Sequence, residues 1–328
     1  MKNNELKIFL HNMENFYVFM DKYNNENLTE ISEEIWQSFG SSLYGNKPLE
    51  KILNLAATIK HHDPDLIMLT EVGGEESLEN FNRYFLNSSY HVATLPSNSN
   101  RGIDLGYLIK KTLPLSSKIS SYKDTPLMFL YPHELKRKKL TAANSHRFSR
   151  DVLRLDLKQN DNIQVIFLLV HLKSKLDHEK NDPDGRMRRR AELNTLIELY
   201  LKIKKQHPTV PIIIGGDFNG NASIQGTERE FAAIYQKTGL RDICELMGST
   251  HRTTFQYFDD KGQELAMQLD YLFIEAGEDL NYQFTEGGVL NFMDYRGTHL
   301  PTATNLVQKQ QNPSDHYPVF AKLILKRK

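Results

Sequence analysis

The stretch PTVPIIIGGDFNGNAS, residues 208–223, decides the fold of this chain and indicates a polar site at one edge of it. Three consecutive isoleucines predict a strand buried on both faces, because continuous apolar runs are typical of strands covered on both sides. A double glycine follows, and then Asp217 and Asn219. A carboxylate and an amide are costly to bury without partners. At the mouth of a buried strand they are instead suited to holding water, phosphate or a metal ion.

The composition is that of an ordinary globular protein. The chain has 328 residues, of which 39% are hydrophobic and 25% are charged. A chain of this length buries about 75% of its unfolded surface, so a large core needs no disulfides. The 41 basic and 41 acidic residues cancel, which excludes a broad basic footprint for nucleic acid. Residues 133–150 and Arg186–Arg190 are locally basic and are candidate flanks of a nucleic-acid groove, although such runs are commonly solvated faces.

The sequence also bounds the cellular setting. The single cysteine, Cys244, excludes an internal disulfide framework and a multi-cysteine metal cluster. No stretch approaches the 18 or so apolar residues of a membrane span, and the first residues lack the pattern of a signal peptide. We therefore expect a cytoplasmic protein without a transmembrane segment. No protein partner is inferable.

Short apolar runs alternate with helical patterns along the whole chain. Amphipathic spacing predicts helices over residues 49–62 and 186–206. Neither an internal repeat nor a linker divides the sequence, so we expect one domain over residues 1–328. Residues 17–47 and 286–315 are predicted to be long connections, which are often functional in compact domains. The predicted strands cover residues 6–12, 63–72, 103–111, 152–158, 163–175, 210–217, 252–258, 268–274 and 317–325.

Polar side chains recur where these strands begin or end. Any one of them is explained by a cap or a turn, since Asp and Asn are favoured there. Their repetition at six strands is better explained by a shared site, and a bound hard cation would account for the carboxylates together. The residues are Asn12, Glu71, His171, Asp217 with Asn219, Asp270, and Asp315 with His316.

Seven motifs that occur in order along the chain resemble those of the endonuclease/exonuclease/phosphatase superfamily. They are HNMENF (11–16), PDLIMLTEV (64–72), NRGIDLGYLI (100–109), VHLKSK (170–175), GGDFN (215–219), QLDYLFI (268–274) and SDHYPV (314–319). The resemblance covers residues 12–320. It implies an α/β fold, a four-layer α/β sandwich in which two packed, mostly antiparallel sheets are flanked by helices. It also implies metal-dependent hydrolysis of a phosphoester by in-line attack of an activated water.

The resemblance assigns metal-binding positions to this sequence. Glu71 matches the metal-binding glutamate of the family, and Asn12 and Asp315 match positions near the same ion. Glu14 lies where some members carry an acid. Because all of these ligands offer oxygen, Mg²⁺ is the expected cofactor, with Mn²⁺ as the alternative.

Four further positions match the catalytic residues of the family. Asp217 matches the aspartate that orients or deprotonates the attacking water, and Asn219 matches the amide that holds this aspartate and the phosphate. His316 matches the histidine beside the scissile phosphate, and Asp270 matches its carboxylate partner. Such a pair keeps the imidazole oriented and favours its protonated form.

The remaining matches concern the substrate phosphate. His171 matches a second phosphate-contacting histidine found in the deoxyribonuclease and sphingomyelinase branches, and Asp104 lies where an acid supports that histidine. Arg101 and Arg150 resemble recurring arginines that contact phosphate. Lys173 is a further candidate for this contact.

The substrate does not follow from these residues, because one fold and one chemistry serve DNA, RNA, lipids and inositol phosphates. A nuclease or phosphodiesterase is the leading hypothesis, since a secreted deoxyribonuclease would usually carry a disulfide. The alternative is a phosphatase or phospholipase-type enzyme acting on a small phosphate ester, phosphoinositide or lipid headgroup. A binding module without catalysis is a third hypothesis, which the complete set of expected residue types disfavours.

Overall fold

Two six-stranded sheets pack face to face, with helices on their outer sides, in the computed structural model of the chain. The structure describes residues 5–136, 141–142, 146–176, 181–276 and 282–326. The layers confirm the predicted four-layer α/β sandwich. Among the described residues, no helix is both long and apolar enough to cross a membrane.

The first sheet contains both ends of the described chain. Its strands pair in the order β13-β14-β1-β2-β4-β3, and all pairs are antiparallel except β1 with β2. The strands are β1 (Glu5–Phe16), β2 (Leu66–Val72), β3 (Tyr90–Leu95), β4 (Asp104–Lys110), β13 (Tyr282–Val289) and β14 (Val319–Leu325).

The second sheet is built on the same plan. Its order is β5-β6-β7-β8-β12-β9, with a single parallel pair, β7 with β8. The strands are β5 (Ser116–Ser121), β6 (Val152–Gln159), β7 (Asn162–His171), β8 (Ile212–Asp217), β9 (Leu240–Asp242) and β12 (Asp270–Glu275). A separate hairpin consists of β10 (Phe255–Phe258) and β11 (Glu264–Met267).

The helices lie at the periphery. Two of them are directly preceded by 3₁₀ turns, at Pro183–Gly185 and Arg229–Phe231. The helices are α1 (Glu33–Ser38), α2 (Leu49–His62), α3 (Gly74–Phe85), α4 (Arg186–Gln206), α5 (Ala232–Lys237), α6 (Ile243–Leu246) and α7 (Leu306–Gln311).

Three apolar cores fill the spaces between the layers. The central core lies between the sheets and includes Leu10, Met68 and Ile213. A second core lies under α2 and α3, and a third lies under α4. Each sheet is therefore covered on both faces, which is why its strands read as continuous apolar runs.

The predicted elements are confirmed in position but not always in extent. α2 and α4 have the predicted bounds. β1 continues past Asn12 to Phe16, whereas β7 ends at His171, before the predicted limit. The predicted connection 286–315 is wrong at its start, because the last residues of β13 reach Val289. Two glycines and exposed polar residues had disguised this strand.

Candidate active site

Three of the predicted site residues lie on one rung of the second sheet. His171 on β7 pairs with Asp217 on β8, and Asp217 pairs in turn with Asp270 on β12. Residues directly opposite each other on neighbouring strands project to the same face. The strand pairing alone therefore brings an imidazole and two carboxylates together at the end of the sheet.

The double glycine before Asp217 is required by a close approach between strands. Gly216 has φ +146°, and a Cβ at this position would lie 1.8 Å from the carbonyl oxygen of Val170 on β7. A side chain here would push β8 away from β7 and break the rung. The motif thus serves backbone packing that places Asp217 next to His171.

The first sheet contributes Asn12 and Glu71 from its two parallel strands. Asn12 Nδ2 donates a hydrogen bond of 3.0 Å to Asp217 Oδ2, which links the two sheets. The pairing of β1 with β2 becomes irregular after Asn12, and Glu71 has φ +60°. The backbone N–H of Asn15 donates to Glu71 Oε2 at 3.0 Å. Glu71 Oε1 lies 3.8 Å from His171 Nε2, so the carboxylate faces the rung.

Asp217 is the centre of this arrangement. Besides Asn12, it accepts the backbone N–H of Asn219 at 2.7 Å, while the Asn219 amide donates to the carbonyl of Leu172 at 3.1 Å. Asn219 adopts φ +54°, a left-handed conformation that Asn tolerates. Burial, followed by the nearby charge of Asp270, raises the pKa of Asp217 to about 7. A carboxylate with such a pKa is suited to accept a proton near neutral pH.

His316 contrasts with Asp217 because its ring favours the positively charged form. Its Nδ1 lies 2.7 Å from Asp270 Oδ2, and the Asp270 backbone N–H is held by Thr254 Oγ1 at 3.0 Å. Burial disfavours the charged ring, but the charges of Asp270 and Asp315 outweigh it and raise the His316 pKa well above its usual value. The site therefore holds a cationic imidazole beside a carboxylate that can take up a proton.

His171 is buried and neutral. Burial, reinforced by the positive charges of Arg150 and His316, lowers its pKa well below the ordinary value. The predicted support from Asp104 is not what the structure shows, because Asp104 Oδ1 accepts the backbone N–H of Ser97 at 2.8 Å. Within the described part of the chain, His171 Nδ1 has no hydrogen-bond partner.

The three candidate phosphate-binding residues differ in their distance from the site. Burial lowers the pKa of Arg150, which interacts electrostatically with Glu71 and Asp217 and so lies at the site. Arg101 is exposed and donates to Asn15 Oδ1 at the edge of the site. Lys173 Nζ instead donates to the carbonyl of Ser174 at 3.2 Å and to that of Leu176, which places its ammonium within its own loop.

Glu14 is also engaged elsewhere. Its carboxylate lies 3.1 Å from Lys47 Nζ and 3.9 Å from Lys51 Nζ, so a neighbouring cation already balances its charge. The fourth predicted ligand therefore belongs to an ion pair, which leaves Glu71, Asn12 and Asp315 as the oxygen donors. Asp315 stays partly exposed and lies 3.9 Å from His316 Nε2.

Two residues of the site escaped the sequence analysis. Lys47 is buried, and its Nζ donates to the Glu14 carbonyl at 2.9 Å as well as to the Glu14 carboxylate. No motif indicated it, because a single lysine in a loop has no recognisable spacing. His11 is buried with its Nε2 2.8 Å from the carbonyl oxygen of His316. Its position next to Asn12 in HNMENF was the available signal.

Two arginines of the run at the start of α4 are bound within the fold. Arg189 is fully buried and its Nη2 lies 2.6 Å from Glu230 Oε1. Arg188 donates to the carbonyl of Arg147 at 2.9 Å. The proposed role of this run as a flank for nucleic acid is therefore wrong for these two arginines, which anchor the helix. The other basic stretch, 133–150, lies partly outside the described residues.

The donor set fits a hard cation. Asp217, Asp270 and His316 each offer one ligand atom, and these atoms lie within 4.8 Å of one another. A protonated imidazole is no ligand, however, because a metal-binding histidine must be neutral. Glu71, Asp315 and Asn12 offer oxygens, the donors that Mg²⁺ prefers. Four carboxylates gather around His316 and Arg150, so a cation at these oxygens would relieve their mutual repulsion.

Comparison with known proteins identifies the class of this fold and site as that of the phosphoester hydrolases. The sequence profile of the Endonuclease/Exonuclease/phosphatase family matches residues 39–316. The chain belongs to this family, as its motifs indicated, and membership supports phosphoesterase or nuclease-type chemistry. No curated protein sequence matches the chain.

Solved structures share the fold at low sequence identity. The human Nocturnin catalytic domain with bound sulfate anion superimposes with a TM-score of 0.60 at 14% identity, covering 99% of this chain and 96% of that one. TDP2 from C. elegans gives 0.55 at 18% identity, covering 98% and 75%. D. rerio TDP2 complexed with single strand DNA product gives 0.55 at 14% identity, covering 97% and 98%.

Proposed function

We propose that this chain is a divalent-metal-dependent phosphodiesterase of nuclease type, which hydrolyses a phosphoester by in-line attack of an activated water. The observation that carries the proposal is the arrangement around Asp217. Asn12 reaches it from the opposite sheet, and Asp270 on the next strand holds His316. The pKa of Asp217 is raised to about 7 and that of His316 is raised well above its usual value, so a carboxylate able to accept a proton lies beside an imidazolium able to donate a hydrogen bond.

The residues of the chain divide the work. Asp217, with a pKa raised to about 7, accepts a proton from the attacking water. His316 presents its Nε2–H to a phosphoryl oxygen and stabilises the negative charge that develops there. Asp270 fixes the ring through Nδ1, and Asn219 fixes Asp217. His171 and Arg150 would contact the other phosphoryl oxygens.

The metal supplies the remaining electrostatics. Bound Mg²⁺ would neutralise phosphate charge and polarise the phosphoryl oxygen. Glu71, Asp315 and Asn12 would hold it, and Mn²⁺ is the alternative because the same oxygen donors suit it. The excess of carboxylates at the site supports this assignment.

The phosphodiester class is supported by one of the structural relatives, D. rerio TDP2, which was crystallised with a single strand DNA product. Nocturnin was crystallised with sulfate, an anion shaped like phosphate, which is compatible with a phosphate ester of either class. A phosphatase acting on a small phosphate ester is the competing assignment. A diesterase needs room for chain on both sides of the reacting phosphorus, whereas a monoesterase needs it on one side only.

The test is hydrolysis of bis-p-nitrophenyl phosphate, p-nitrophenyl phosphate, single-stranded DNA, RNA and phosphoinositides, each with Mg²⁺ or with EDTA. We expect Mg²⁺-dependent turnover of the diesters. Asp217→Asn and His316→Gln are each expected to lower kcat by about 10²- to 10⁴-fold, the usual contribution of general acid–base catalysis.

Matched controls separate chemistry from folding. Asp161→Asn changes an aspartate in the turn between β6 and β7, and His91→Gln changes an exposed histidine on β3. Both controls should keep wild-type kcat. Full activity in Asp217→Asn would refute the site assignment, whereas turnover of monoesters alone would establish the phosphatase.

A further inference from the structure

A cavity of about 420 Å³ opens beside the candidate active site, between the loop that follows α1, the start of α2 and the irregular end of β1. Its volume lies within the range of about 300–1,000 Å³ that is typical of small-molecule sites. Two of the motifs quoted above reach its wall, HNMENF (11–16) and NRGIDLGYLI (100–109), but the roles assigned to them do not include a cavity. Its walls include Asn15, Tyr17, Tyr44, Lys51 and Arg101.

The cavity is joined to the catalytic centre through Asn15. The backbone N–H of Asn15 donates to Glu71 Oε2 at 3.0 Å, and its side-chain oxygen accepts from Arg101 Nη2. One residue therefore contacts both a candidate metal ligand and a cation in the cavity wall. A ligand in the cavity would lie next to the reacting phosphate.

The charge of the cavity favours an anion. The cavity wall contains three cationic side chains, Lys47, Lys51 and Arg101, and one carboxylate, that of Glu14. Lys47 is buried and its ammonium is committed to Glu14, which neutralises that pair. Lys51 stays 3.9 Å from the same carboxylate and is partly exposed, and Arg101 is exposed. Two positive charges, those of Lys51 and Arg101, therefore remain at the rim of the cavity. They come from different segments of the chain rather than from one helix face.

An aromatic platform forms the opposite part of the wall. The rings of Tyr17 and Tyr44 stack at 4.9 Å between centroids with an angle of 9°. Tyr17 is buried, and its hydroxyl donates to the carbonyl of Arg101 at 2.6 Å, so the lower ring is fixed. Tyr44 is 50% exposed although it lines the cavity. An exposed, pre-oriented ring of this kind stacks with planar groups such as nucleobases.

We propose that this cavity binds the nucleotide that adjoins the scissile phosphate of a single strand, an inference that rests on the proposed nuclease-type function. The base stacks on Tyr44, and the neighbouring phosphate is held by Lys51 and Arg101. A flat ring next to separated cations matches a base and its phosphate. A phosphorylated inositol matches less well, since it carries several phosphates and offers no aromatic face.

The experiment measures binding rather than turnover. Asp217→Asn serves as the background with Mg²⁺ present, and the probes are a fluorescently labelled hexathymidylate and the same backbone with abasic residues. The background protein should bind the thymidylate at least about fivefold more tightly than the abasic probe, since stacking of a base contributes on the order of 1–3 kcal/mol. Adding Tyr44→Leu should make the two probes bind with equal affinity. Adding Lys51→Met should weaken both probes alike and reduce the dependence of log K on log salt by about one.

Controls come from residues of the same type outside the cavity. Tyr295→Leu removes an exposed tyrosine and Lys60→Met removes an exposed lysine of α2; neither should change binding. A base-dependent ratio that survives Tyr44→Leu would overturn the proposal, as would displacement of the thymidylate by inositol trisphosphate at equal concentration. Failure here with hydrolysis of diesters intact refutes only this subsite. Base-dependent binding without any hydrolysis refutes only the proposed function.

Discussion

Two clusters of charged side chains, each partly buried, lie close together in this protein, and they differ in charge balance. At the start of α4, Arg188 pairs with Glu192, and Arg189 and Arg186 both pair with Glu230, so each carboxylate has at least one arginine partner. At the active site, the carboxylates of Glu71, Asp217, Asp270 and Asp315 outnumber the cations Arg150 and His316. Among the described residues, every carboxylate of the first cluster has an arginine partner, whereas the second has more carboxylates than cations.

The comparison teaches how to separate structural charge from functional charge. A balanced cluster holds its charges through partners in the fold, because breaking a buried pair is costly. An unbalanced cluster is stabilised by uptake of a proton or by a bound cation, and the oxygen donors at the active site would suit such a cation. Burial, followed by the nearby charge of Asp270, raises the pKa of Asp217 to about 7, so the crowding of carboxylates adds to an effect of burial.

The largest difference between the clusters should appear in stability. Arg189→Met leaves Glu230 buried without its 2.6 Å partner and should lower the free energy of unfolding by about 3–5 kcal/mol. Asp217→Asn removes one of two repelling carboxylates and should leave stability unchanged or raise it. Urea denaturation of both variants against the wild type measures this contrast.

A double variant sharpens that result. Arg189→Met with Glu230→Leu removes both charges of the pair and should recover most of the loss, since an apolar replacement of a buried pair is often neutral. If Asp217→Asn proved as destabilising as Arg189→Met, the distinction between the two clusters would be wrong.

Metal binding should stabilise the unbalanced cluster by a smaller amount. Mg²⁺ at 100 times its Kd would raise the free energy of unfolding by about 2.7 kcal/mol. Glu71→Gln should abolish this increase, because it removes a candidate ligand. Thermal unfolding with Mg²⁺, compared with NaCl of equal ionic strength, measures the effect. Equal stabilisation of the wild type and of Glu71→Gln would place the metal elsewhere.

The sequence predicted the unbalanced cluster better than the balanced one. Asp217 and His171 were recognisable because each follows an apolar strand, and strand pairing then placed them on one rung. The family resemblance supplied the layers and the roles of Asp270 and His316. A polar residue at the end of a buried strand is visible in one dimension, so this part of the site could be read from sequence.

The roles that were missed depend on contacts between segments distant in sequence. Arg189 looked like part of a solvated run, yet it is buried against Glu230, 41 positions away. Asp104 was predicted to support His171, whereas its Oδ1 accepts the backbone N–H of Ser97. Lys47 carried no motif. Burial and the choice among several partners are set by packing, which residue spacing alone does not encode.

Glu192 connects the two clusters and provides a prediction of intermediate size. Its carboxylate accepts the backbone N–H groups of Ser149 and Lys173, both at 2.7 Å. These residues adjoin Arg150 and the end of β7. Glu192→Ala should lower stability by about 1–3 kcal/mol, because two backbone donors lose their acceptor. It should also raise KM on diesters, since Arg150 is no longer positioned.

Glu198→Ala is the matched control for that variant, because this glutamate lies on an exposed part of the same helix. It should change neither stability nor KM. A stability loss in Glu192→Ala without any change in KM would confine the residue to the structural cluster and deny the connection.

The smallest expected effect concerns pH and lies far from both clusters. Burial, together with the nearby His61 and His299, lowers the pKa of His62 to about 4. In the unfolded chain this pKa is about 6.5, so between these values the unfolded state binds more protons. The contribution of neutral His62 to stability is therefore complete above pH 6.5 and is lost as the pH falls towards 4. Because the ring is only half-buried, the change should stay below about 1 kcal/mol.

His62→Gln should flatten the dependence of stability on pH in this window, whereas His91→Gln, at an exposed position, should not. Identical pH profiles for all three proteins would show that burial of His62 is not coupled to folding.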